Sequence, residues 1–123
     1  HAGVVVHGHI PDLTPLLQSA RLGIAPLRIG AGVKGKVNLG MSHGLPMVVT
    51  QCAAEGLHLL DGEHALIADT SQALVSAVVT LCSDDVLWNR ISRASVALTQ
   101  QHFTADAARA AVLASLPPSE PTV

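Results

Sequence analysis

Short β-branched runs alternate with helical stretches along this chain, and no other feature constrains its fold as much, because that alternation is the pattern of βα units laid into a parallel sheet. Val4-Val5-Val6, bounded by Gly3 and Gly8, reads as a strand covered on both faces. Leu22 to Pro26 reads as a second strand, Met47-Val48-Val49 as a third, and Ala65-Leu66-Ile67 as a short fourth. Between them, Asp12 can cap a helix through Ala20, with Pro15 tolerated because first-turn N–H groups lack intrahelical partners. Val33, Val37 and Met41 recur at helical spacing, and Gly44 followed by Pro46 stops that helix. The stretch from Thr50 through Asp61-Gly62 reads as a loop. Thr70 or Ser71 then opens a helix with Ala73, Leu74, Ala77, Val78 and Leu81 on one face. Ser83, Asp84 and Asp85 open the next, where Leu87, Ile91, Ala94 and Leu98 form a stripe and the early acids suit the positive dipole end. Thr104 caps a last helix to about Leu116.

The expected fold class is therefore α/β, a parallel sheet with flanking helices over residues 1–116, followed by a flexible tail at 117–123 that has no core pattern. A doubly wound domain carries roughly five or more strands, and this chain opens inside a strand, so the sheet is expected to be incomplete. Charged residues are 13% of the chain, about half the ordinary share, and hydrophobic residues 49%, so it folds rather than staying disordered. With Trp88 and Phe103 as its only large aromatics, the core must be built from Ala, Val, Leu and Ile.

Composition also excludes partners. The net charge is −2, no basic cluster exceeds the Lys34 and Lys36 pair, and no aromatics interleave with it, which argues against a nucleic acid polymer. No apolar run approaches the ~20 residues of a membrane helix, and His1-Ala2-Gly3 lacks the basic region that opens a signal peptide, so the expected location is cytoplasmic. Cys52 and Cys82 have no CxxC spacing and fall in different elements, as expected of reduced packing thiols.

The segment that carries chemistry is Arg28-Ile29-Gly30-Ala31-Gly32-Val33-Lys34-Gly35-Lys36, between a strand and a helix. Its glycines let backbone approach a ligand, the helix start supplies free N–H groups and a positive dipole end, and two lysines add charge; together these describe a phosphate cradle. The order of Gly, Lys and Ser/Thr is not that of a Walker loop. The dinucleotide fingerprint does not fit either, because Gly35 only approximates its third glycine and no acid follows at the right distance. The bland alternative is a structural glycine turn with solvated lysines. Because Lys34 and Lys36 lie two apart on a helix, only one is expected to touch phosphate, and Lys34, nearer the helix start, is the candidate.

The run Gly8, Asp12-Leu13, Pro15-Leu16-Leu17, Ala20-Arg21, Ala25-Pro26-Leu27-Arg28, Gly30 to Lys36, Met41, Gly44-Leu45-Pro46, Val48-Val49-Thr50 and Ala54-Glu55-Gly56-Leu57 resembles the donor-binding domain of group 1 glycosyltransferases of the GT-B fold. Ala68-Asp69 and Asp85-Leu87-Trp88 fit the same pattern, so the resemblance runs to about Val112. It implies a Rossmann-like sheet, here a fragment of the C-terminal domain, and transfer of a sugar from a nucleotide-diphosphate donor to an acceptor held by a separate N-terminal domain. Gly30, Ala31, Gly32, Val33, Lys34, Gly35 and Lys36 would face the sugar and diphosphate, and the base would lie around Gly8 to Ile10. The nucleotide sugar is the substrate, with no further cofactor and no metal implied. The glutamates that family members commonly carry beside this loop and helix are replaced by Ala31 and Leu39. No catalytic residue can be assigned, and the chain alone is expected to be inactive.

Two other classes remain open at this point: a GT-B-fold isomerase using the same cradle, and a non-catalytic α/β module that self-associates through an exposed sheet edge. A receiver-like domain would need clustered acids at the first strand end, and Val4 to Ile10 has none. His7 and His9 alternate onto one face while His43, His58, His64 and His102 are scattered, which does not supply the convergent donors a metal needs. Glu55, just past a strand end, could position a donor sugar but is better read as part of a turn with Gly56.

Overall fold

The computed structural model describes residues 2–117, so the expected tail lies outside the described residues except for Pro117. Its elements run α1 (Thr14–Ser19), β1 (Gly23–Ala25), α2 (Gly35–Ser42), β2 (Met47–Val49), α3 (Gln51–Ala54), β3 (Leu66–Ile67), α4 (Ser71–Ser83), α5 (Asp85–His102) and α6 (Ala105–Ser115). The strands form one parallel sheet in the order β1-β2-β3, with Ile24 beside Val48 and Val49 beside Ile67. The fold is thus α/β with a small, open parallel sheet flanked by helices, as the alternation of runs predicts.

Each residue of β2 is buried, because the central strand is covered on both faces. Met47 and Val49 point into one cluster with Val37 and Met41 of α2, Leu98 of α5, and Leu57 from the turn after α3. Val48 points the other way, onto Leu81 of α4 and Ile91 of α5, with Leu66, Leu74 and Val78 packed around them. This is the period of two expected of a strand. Since α5 contributes to both clusters and also packs on α2 and α4, it ties the two sides together. Fully burying side chains of this kind stabilises by about 1.5–3 kcal/mol each.

Gly23 lets β1 pack closely against Met47 at its first position. A Cβ there would lie 2.4 Å from the Met47 sulfur, and one at Gly40 would lie 3.0 Å from the same atom. Met47 therefore occupies the gap that two glycines leave between strand and helix. Ahead of β1, the Arg21 guanidinium lies 5.1 Å from the centre of the Trp88 ring, pairs with Asp85 and donates to the Leu81 carbonyl, while Trp88 Nε1 donates to the Arg21 carbonyl at 2.7 Å. The approach to β1 is latched to the α4–α5 corner.

Two expectations are corrected. Val4-Val5-Val6 is not a strand: it joins no sheet, and its residues are 69%, 72% and 89% exposed. An apolar run becomes a strand only when a neighbour completes its ladder and helices cover its faces, and these valines have neither. The segment after Thr50 is not wholly loop, because Gln51–Ala54 forms a single helical turn with Ala53 and Ala54 buried.

Candidate functional site

Parallel pairing brings the carboxyl ends of all three strands to one edge, where ligands sit in open α/β sheets. Three loops meet there: 26–34 after β1, the start of α3 after β2, and 68–70 after β3. Thr50 joins two of them. Its side chain, on a residue only 5% exposed, accepts from Ala53 N–H at 3.2 Å and donates to the Leu27 carbonyl. Asp69 joins the third by accepting the Gln51 N–H at 2.8 Å on Oδ1. Cys52 Sγ lies 3.7 Å from the Gly30 carbonyl, and the Val33 side chain closes on Gly56, whose φ of +76° places it in the left-handed region. The glycine-rich loop is thus held from beneath by α3 and the turn after it.

Gly30 and Gly32 have φ of +153° and +77°, which lets the loop reverse before α2. Lys34 occupies the position before the helix, with extended backbone, and no side chain caps the helix start. The N–H groups of Gly35 and Lys36 meet no acceptor among the described residues, as first-turn donors do unless something else supplies one. Beside them lies a cleft of about 470 Å³ lined by Val33, Lys34, Gly35 and Lys36 and, along β1, by Ile24, Pro26 and Leu27. Gly30, Ala31 and Gly32 are exposed and lie outside its lining.

Lys34 and Lys36 both line this cleft. Lys34 precedes the first helical turn and has β-region backbone, so the angular offset of a helix does not apply to the pair. The Lys34 ammonium donates to the Gly32 carbonyl at 2.6 Å, closing the loop on itself.

A second cavity, about 420 Å³, lies across the strand ends and is lined by Leu27, Arg28, Thr50, Cys52, Asp69, Thr70 and Ser71. Thr50 and Asp69 enter the sequence reading only as part of the family resemblance and Ser71 only as a possible helix start, none of them as a site residue. The signal available for them is positional, since each follows directly or closely on a predicted strand.

The remaining candidates disperse. Gly8 to Ile10 line neither cleft and carry no regular structure. Glu55 is exposed at the end of α3, where Gly56 turns the chain. His58, itself at φ 56°, stacks on His102 with ring centres 4.4 Å apart. His64 accepts the Leu60 N–H, and among the described residues no group of three His, Cys, Asp or Glu side chains converges. Cys52 and Cys82 are both free thiols. Among the described residues no helix is long and apolar enough to cross a membrane.

An open parallel α/β sheet with its clefts at the carboxyl ends of the strands is the architecture in which nucleotides and their conjugates are commonly held. Residues 1–84 match the family described as glycosyl transferases group 1. The chain belongs to that family, and the chemistry of the family is transfer of a sugar. Among curated proteins, none matches the sequence.

Proposed function

We propose that this chain is the donor-binding part of a hexosyltransferase, and that the cleft at the start of α2 takes the diphosphate of a nucleotide-diphosphate sugar. The observation that carries the reading is the convergence, at the carboxyl end of β1, of two free N–H groups and two lysines on one cleft in a chain of this family. Helix-start N–H groups and the dipole behind them favour an anion, the Lys34 ammonium adds a charge-assisted hydrogen bond, and Lys36 adds charge beside it. Lys34 would exchange the Gly32 carbonyl for a phosphate oxygen, a better acceptor because it is charged. The acceptor would be presented by a separate domain, and this chain alone would transfer no sugar.

Calorimetric titration with a nucleoside diphosphate tests the reading. Lys34→Ala is expected to weaken binding by about 1.5–3 kcal/mol, the range of a hydrogen bond to a charged group, and Lys36→Ala by less. Negligible losses in both variants, with the fold unchanged, would leave a structural glycine turn and reject the cradle. Turnover of a nucleotide sugar by the isolated chain would reject the division of labour.

A further inference from the structure

The second cavity contains two charged groups that do not meet. Arg28 has no hydrogen-bond or ion-pair partner among the described residues, although it is one of the residues that line the cavity. Across the same cavity, Asp69 uses Oδ1 to accept the Gln51 N–H at 2.8 Å, while its Oδ2 has no partner among the described residues. The Gln51 bond occupies one carboxylate oxygen and leaves the other available to accept. Thr70 and Ser71 add hydroxyl-bearing side chains to the lining. A ligand that satisfies this lining carries an anionic group for the guanidinium and neighbouring hydroxyls for the carboxylate. Leu27 lines both this cavity and the cleft at the start of α2, so the two adjoin.

We infer that this cavity is a hydroxyl-reading subsite, in which Asp69 accepts from vicinal hydroxyls of a sugar ring and Arg28 binds the adjoining phosphate. The inference rests on the donor-binding reading given above. It also supplies a carboxylate that the glycine-rich loop and α2 lack, where Ala31 and Leu39 are apolar. A carboxylate accepting from a hydroxyl gains a charge-assisted bond, and a guanidinium matches phosphate with parallel donors. The vicinal hydroxyls belong either to the ribose of the nucleotide or to the sugar that is transferred, and the two sources separate experimentally.

The test is calorimetry of the whole 123-residue chain with uridine and guanosine diphosphates, their dideoxyribose forms and their hexose conjugates. Asp69→Asn keeps an acceptor for the Gln51 N–H while removing the negative charge, so it preserves the positioning role and weakens hydroxyl acceptance. If the ribose is read, Asp69→Asn weakens the ribose diphosphates about tenfold and leaves the dideoxyribose forms unchanged. If the transferred sugar is read, only the hexose conjugates lose about tenfold. Binding of every ligand within about twofold of the parent chain overturns the subsite while leaving the cradle standing. Absence of any diphosphate binding by the parent chain overturns both. Should Asp69→Asn fail to unfold cooperatively, Arg28→Gln on the exposed loop decides instead. A loss of about tenfold for the hexose conjugates supports the subsite, and affinity within about twofold of the parent overturns it.

Discussion

Replacing Thr50 by Val tests whether one hydroxyl holds the strand ends together. The change is nearly isosteric, so no cavity term enters, and both hydrogen bonds of the side chain are lost. Loss of the cap on Ala53 N–H costs about 1 kcal/mol. Leaving the Leu27 carbonyl without its donor costs about 1–3 kcal/mol, and because Leu27 is 38% exposed, water offsets part of this and the low end applies. The expected destabilisation is therefore about 2 kcal/mol. Urea unfolding followed by far-ultraviolet circular dichroism measures it, with an unchanged denaturant slope expected if only stability moves. Thr50→Ser retains the hydroxyl and gives up one methyl group, for an expected cost of about 1 kcal/mol or less. A Thr50→Val loss smaller than that of Thr50→Ser would refute the reasoning, because it would mean that burial of the methyl, not the hydroxyl, matters at this position.

Gly23→Ala places a Cβ 2.4 Å from the Met47 sulfur, and since Met47 is itself buried the expected cost is about 1–3 kcal/mol of overpacking; an unchanged melting temperature would show that Met47 moves aside freely. Asp84 accepts from Leu87 N–H at 2.9 Å at the start of α5, so Asp84→Ala is expected to lower stability by about 1 kcal/mol and Asp84→Asn to leave it near that of the parent in the same unfolding measurement. The Thr14 backbone N–H, and then the Thr14 hydroxyl, hold the Asp12 carboxyl below its usual 3.8. Its support of the α1 start is thus complete above the ordinary carboxylate range and fades as pH falls below 3.8 through the lowered value; a carbon-13 titration of Asp12 with its midpoint at or above 3.8 would contradict this.

Helix starts were legible because their chemistry is local. Thr104, read as a cap, accepts the Ala107 N–H; of the openers offered as Thr70 or Ser71 and as Ser83, Asp84 and Asp85, it is Thr70 and Asp84 that accept the N–H three residues on, while Asp12 instead accepts the Thr14 N–H from ahead of the cap position, which Leu13 holds. The stripe Leu87, Ile91, Ala94 and Leu98 likewise turns inward, with Ile91 and Leu98 buried. Where the reading failed, the deciding partner was distant in the chain. Val4-Val5-Val6 has the composition of a strand, but composition cannot supply a neighbouring ladder. The single turn Gln51–Ala54 is too short to show a period, and it owes its form to the Thr50 cap and to burial of Ala53 and Ala54.

The same distinction separates the two clefts. The residues of the first, Val33 to Lys36, are consecutive, so a motif could display them. Arg28, Thr50 and Asp69 come from three separate loops and converge only because β1, β2 and β3 run parallel and in register. The two clefts are nevertheless mechanically one system. Thr50 holds the Leu27 carbonyl, Leu27 lines both, and the Cys52 sulfur and Gly56 support the loop that leads into α2. The Thr50 bond to Leu27 and the Lys34 bond to Gly32 thus brace the two ends of one loop. A donor bound across both clefts would in turn stabilise the fold by holding the three strand ends together, as any ligand that prefers the folded chain must.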